Sequence, residues 1–87
     1  EKKLGMVDRA EQLLLDLGFH QVRVRIHGEG EAAMARIEVL PQEIAILVEA
    51  AKREKIYSYF KEIGFAYVTL DLGGYQMGSM NIGVIEH

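Results

Sequence analysis

The chain predicts an α+β domain: an α-β-β-α-β two-layer sandwich with a three-stranded antiparallel or mixed sheet, two helices on one face, and the look of a ferredoxin-like half. Three observations predict it. A helix-to-strand junction occurs twice at the same spacing, as Leu17-Gly18-Phe19-His20-Gln21-Val22-Arg23-Val24 and as Ile63-Gly64-Phe65-Ala66-Tyr67-Val68-Thr69-Leu70. Period-two alternation follows each junction. Between the two copies lies another alternating run, Ala35 to Val39, reached from the first by a glycine-containing turn.

Leu4, Val7, Ala10, Leu14 and Leu17 recur at three- and four-residue steps, which gives an amphipathic helix from about Lys3 to Leu17. Gly18 then takes a left-handed conformation that closes the last carbonyls, and Phe19 packs back on the turn. Val22, Val24 and Ile26 alternate with Arg23, Arg25 and His27 in a half-buried strand. Gly28-Glu29-Gly30-Glu31 turns the chain, and Ala35, Ile37 and Val39 return with Arg36 and Glu38 between them. Pro41 suits the first position of a helix. Ile44, Leu47, Val48, Ala51, Ile56, Phe60 and Ile63 line one long helix to Ile63, with a bend expected between Ala51 and Ile56, where the apolar register slips. A third strand from about Ala66 to Leu72 turns Val68, Leu70 and Leu72 inward, Gly73-Gly74 closes it, and Tyr75 to Asn81 reads as a loop. A right-handed crossover favours the first strand as the central one.

Eighty-seven residues make one domain, 1–87, with a single small core. A net charge of −3 lacks the basic footprint of general nucleic-acid binding. No apolar run approaches the roughly 20 residues of a membrane span, and no signal-peptide pattern opens the chain. The absence of cysteine removes disulfides, cysteine metal sites and thiol nucleophiles, and is compatible with a cytoplasmic location. No Ser/His/Asp or paired-carboxylate pattern stands out.

Pleat alternation puts Arg23, Arg25, His27, Arg36, Glu38, Tyr67, Thr69 and Asp71 on the sheet face the helices leave bare. Two readings of that face stay open. One is a solvated surface of cross-strand ion pairs worth about 0.2–1 kcal/mol each. The other is an anion site: Arg23 and Arg25 point the same way about 7 Å apart, and guanidinium forks match phosphate oxygens. Glu38 could orient them or hold a metal. Glycines 28 and 30 join two strands rather than opening a helix, so they make no phosphate cradle.

The blocks Val22-Arg23-Val24-Arg25, His27-Gly28 and Ala35-Arg36-Ile37-Glu38-Val39, then Gly64-Phe65-Ala66-Tyr67-Val68-Thr69-Leu70-Asp71-Leu72, Gly74-Tyr75 and Gly78-Ser79-Met80-Asn81, span nearly the whole chain in order. They resemble the C-terminal domain of the LarE-type ATP-dependent sacrificial sulfur transferases, a PP-loop ATP pyrophosphatase family. The resemblance implies a C-terminal fragment of a longer enzyme, a substrate-phosphate-binding and assembly domain in nickel-pincer cofactor biosynthesis. In such enzymes an N-terminal pyrophosphatase domain uses ATP to activate a carboxylate for sulfur transfer. Its phosphate loop, and the cysteine that gives up its sulfur or, in other members, helps hold an iron–sulfur cluster that mediates transfer, are both missing from this sequence.

By position, the resemblance gives Arg23 and Arg25 the phosphate of a nucleotide-type substrate. It gives Glu38, and less directly Glu11, a possible metal or site-orienting role. ATP and a divalent metal would act in the full-length protein, and the N-terminal domain of the same chain would be the first partner, with a homo-oligomer also open. The chain departs from the family pattern at four places. The hairpin after His27 is longer, Ile26 stands where a second His is common, Gln76 replaces an Arg, and Ile82 replaces a Glu. These changes leave open a related pyrophosphatase of different specificity. The rival reading is a non-catalytic protein-interaction or oligomerisation module.

Overall fold

Both helix-to-strand junctions form as the sequence predicts. A computed structural model describes residues 2–76 of the chain. The first helix, α1, spans Lys2–Asp16. Its end is closed by bonds from the Gly18 N–H to the Leu15 carbonyl and from the Phe19 N–H to the Leu14 carbonyl. The helix before the second junction closes alike, with Gly64 donating to Lys61 and Phe65 to Phe60. Gly18 and Gly64 have φ of 105° and 131°, a region that side chains with a Cβ disfavour. Phe19 and Phe65 are thereby turned into the core, where Phe65 lies against Phe60 with ring centroids 5.7 Å apart.

The sheet comprises β1 (Val22–His27), β2 (Met34–Val39) and β3 (Tyr67–Leu70), in the order β1-β2-β3. β1 and β2 are antiparallel, with Val24 opposite Ile37 and Arg25 opposite Arg36, whereas β2 and β3 are parallel, with Ile37 beside Leu70. The second strand, not the first, is therefore central. Composition explains the correction: Ala35, Ile37, Val39 and even Glu38 are buried, a degree of coverage only a middle strand receives. The helical return from β2 then delivers β3 directly beside it, as an ordinary β-α-β unit.

The long helix expected from Ile44 to Ile63 is broken. A 3-10 turn at Pro41–Glu43 leads into α2 (Ile44–Leu47), and α3 runs from Ala50 to Ile63. The break lies at Val48-Glu49, earlier than the bend the register slip suggested; Glu49 is extended, with ψ of 143°. Leu47 and Ile56 are both buried, yet nine residues of continuous helix would set them about 180° apart at roughly 100° per residue. Interrupting the helix turns both toward the same core.

β3 stops at Leu70, short of the predicted Leu72, because Asp71 turns the chain: its side chain accepts the Gly73 N–H at 2.8 Å. Leu72, expected inward, is 80 % exposed. The loop reading of the tail beyond Gln76 lies outside the described residues. Met6, Ala10, Leu14, Val24, Ile37, Ile56 and Phe60 belong to one core between the helices and one sheet face. Among the described residues, no helix is long and apolar enough to cross a membrane.

Candidate functional site

The opposite sheet face carries the charged residues, and the register fixes their rows. Arg23 pairs with Glu38, and Arg25 with Arg36, which in turn lies beside Thr69. Arg25 and Arg36 are like charges directly opposed, an arrangement that destabilises a strand pair unless an anion lies between them. Glu38 supplies that anion. Its Oε2 accepts from Arg36 Nη2 at 3.3 Å and from Arg25 Nε at 3.5 Å. Glu38 is only 8 % exposed, while the Arg25 and Arg36 side chains keep 46 % and 40 % of their surface in solvent.

A short segment after β3 completes the site. Asp71 lies 3.8 Å from Arg36 Nε, a buried atom with no hydrogen bond among the described residues. The Tyr75 N–H donates to the Val39 carbonyl, and the Arg23 guanidinium sits 5.7 Å from the centre of the Tyr75 ring, within cation–π range. Gly74 makes the approach possible: its φ is 81°, and a Cβ there would stand 2.9 Å from the Val39 carbonyl oxygen. Arg25, Arg36, Glu38, Asp71, Gly74 and Gln76 line a polar cavity of about 280 Å³.

Of the residues singled out in the sequence, Arg23, Arg25 and Glu38 share this face. Glu11 does not join them. It projects from α1, and its Oε2 accepts the Val24 N–H at 2.8 Å, on the border of β1 away from β2. The two glutamates proposed for a metal are thus separately engaged, and among the described residues no group of three His, Asp or Glu stands close enough to hold an ion. Arg36 and Asp71 were legible as members of the polar face, but not Arg36 as a partner of both Glu38 and Asp71. The like-charge opposition of Arg25 and Arg36 was the signal that could have found them.

Thr69 spends its hydroxyl on the Ala35 carbonyl, at 2.7 Å, so it offers the site less than its place on the polar face suggested. A second polar pair gave no sequence signal. Buried Glu43 accepts from the backbone N–H of His20 at 3.2 Å and lies 2.5 Å from its ring Nδ1. The His20 side-chain bond, with smaller help from its backbone bond and charge, outweighs burial and holds the Glu43 carboxyl below its ordinary value.

No family model matches the chain. It is 45 % identical over 80 residues to an uncharacterised protein of Synechocystis sp.. It is 38 % identical over 78 residues to the pyridinium-3,5-bisthiocarboxylic acid mononucleotide synthase of Lactiplantibacillus plantarum. These alignments cover 92 % and 90 % of this chain. The chain spans about a quarter of each relative's length, 28 % and 26 %.

Proposed function

We propose that this chain is the substrate-phosphate-binding and assembly part of a LarE-type, ATP-dependent sulfur transferase. One observation carries the reading: Arg25 and Arg36 converge on Glu38 at a solvent-open polar cavity, with Arg23 on the same sheet face. Guanidiniums held this way present several N–H donors to one oxyanion, the geometry phosphate monoesters require. The similarity to the mononucleotide synthase supports a nucleotide-type ligand. Arg23 and Arg25 bind its phosphate, Arg36 joins them, and Glu38 orients the guanidiniums. ATP chemistry belongs to an N-terminal pyrophosphatase domain, because neither its phosphate loop nor a donor cysteine is in this sequence. A divalent metal would draw ligands from that domain too, since Glu38 and Glu11 do not meet.

Titration with a pyridine mononucleotide, followed by backbone NMR, tests the site. Shifts are expected at Arg23, Arg25, Arg36 and Glu38, and their loss in Arg25→Ala. Shifts confined to other regions would remove the site from consideration.

The second reading, an interaction module, has its own observation. Among the described residues β3 has no neighbour on its outer side, and Tyr67 there is 65 % exposed. Val48, Tyr57, Val68 and Leu70 help to line a mostly apolar groove of about 250 Å³ alongside. Such a border is suited to pairing with another strand.

A further inference from the structure

Resting on the phosphate-site reading, we infer that Glu38 is a resident counter-anion that a ligand must displace, and so sets the site's preference for doubly charged phosphate monoesters over singly charged anions. Both arginine contacts of Glu38 converge on one oxygen, at 3.3 and 3.5 Å, lengths at the loose end for charge-assisted hydrogen bonds. The second carboxylate is no better seated, with Asp71 3.8 Å from Arg36 Nε and that buried donor without a hydrogen bond among the described residues. Two guanidiniums, those of Arg25 and Arg36, therefore face two carboxylates that leave part of their donor capacity unused. Both guanidiniums at Glu38 remain accessible from the cavity they line.

The exchange is governed by what the incoming anion adds. A carboxylate or phosphodiester brings one negative charge, the same as Glu38, and Glu38 competes as part of the same chain at an effective concentration on the order of millimolar. Such a ligand gains nothing by the swap. A phosphate monoester near neutral pH carries a second charge and three terminal oxygens, enough to engage both Arg25 and Arg36 in forked pairs. Arg23, opposite Glu38 in the strand register, is placed to receive the released carboxylate as its counter-charge. A buried carboxylate left without any partner would make displacement prohibitive, so Arg23 is what allows the exchange.

The test compares inorganic phosphate with dimethyl phosphate, a monoanion of the same geometry, on the chain and on Glu38→Gln, read by NMR titration. The native chain is expected to prefer inorganic phosphate. Glu38→Gln is expected to bind both anions more tightly, by about tenfold or more as one charge-assisted contact is freed, and to lose much of the preference. A general loss of structure cannot tighten binding, and simple removal of a repulsive charge would favour the dianion more, so tighter binding together with a lost preference is the outcome that marks displacement. In the native chain, the Glu38 carboxyl carbon resonance is expected to move in step with phosphate saturation, which needs no variant. If phosphate shifts Arg25 and Arg36 while the Glu38 resonance stays still, or if Glu38→Gln binds phosphate equally or more weakly, the counter-anion role is wrong and the phosphate site stands. If neither protein responds to phosphate at all, both the role and the site fall.

Discussion

Arg25 and Arg36 oppose each other across two antiparallel strands, and the surrounding residues exist to make that tolerable. Glu38 sits between them, Asp71 flanks Arg36, and Tyr75 covers Arg23. His20 and Glu43 make a different kind of contact, one that ties the entry of β1 to the turn before α2. Because the folded Glu43 carboxyl titrates below its ordinary value near 4.5, its ionised form is the one the fold favours. Its contribution is therefore complete above that value and disappears as pH falls through the depressed one. Glu43→Gln is expected to destabilise the chain by about 1–3 kcal/mol at pH 7, through the loss of charge-assisted bonds to a buried group. Urea unfolding should show that difference shrinking as the pH is lowered toward 3. A constant difference across that range would assign the effect to packing instead.

At the scale of elements, the segment from Asp71 to Gln76 holds together what β1 and β2 display. Asp71 turns the chain with one oxygen and faces Arg36 with the other, and Gly74 lies where a side chain would collide with Val39 and Pro41. Gly74→Ala is expected to cost about 1–3 kcal/mol through strain at a positive φ and loss of close approach. Because it lifts Tyr75 from Arg23, the same change should weaken phosphate binding, so paired unfolding and titration measurements on this variant check it. An unaltered affinity would mean the segment does not shape the cavity.

The helix ends at Gly18 and Gly64 were readable because each is a local event: an apolar turn, a glycine and an aromatic residue specify it without help from distant chain. Strand alternation was local too, so the face of Arg23, Arg25 and Glu38 could be named in advance. The order of the strands was not local, and it depended on which run the rest of the fold would cover. The break at Val48-Glu49 belongs with it, since only the position of the core shows that Leu47 and Ile56 must face the same way. Glu11 shows the same divide, for nothing near it in sequence announces the Val24 N–H that it receives.

For the whole molecule, one core between helices and sheet leaves the charged face free to be chemistry rather than scaffold. Even Glu38, though buried, faces away from that core and contributes little to holding the layers together. The interaction reading carries an expectation at this scale. Sedimentation velocity should find concentration-dependent pairing of the chain, abolished by Tyr67→Lys, which puts a charge on the open border of β3. A monomer at every concentration would retire that reading and leave the phosphate site untouched.

The Glu11 carboxylate on Val24 has a consequence for such growth. It takes up an outward N–H of β1, which disfavours pairing on that flank and leaves extension to the border beside Tyr67. Two copies joined there would form a six-stranded ribbon with the same glutamate at both ends. A sheet built in this way can recruit a companion without seeding a fibre.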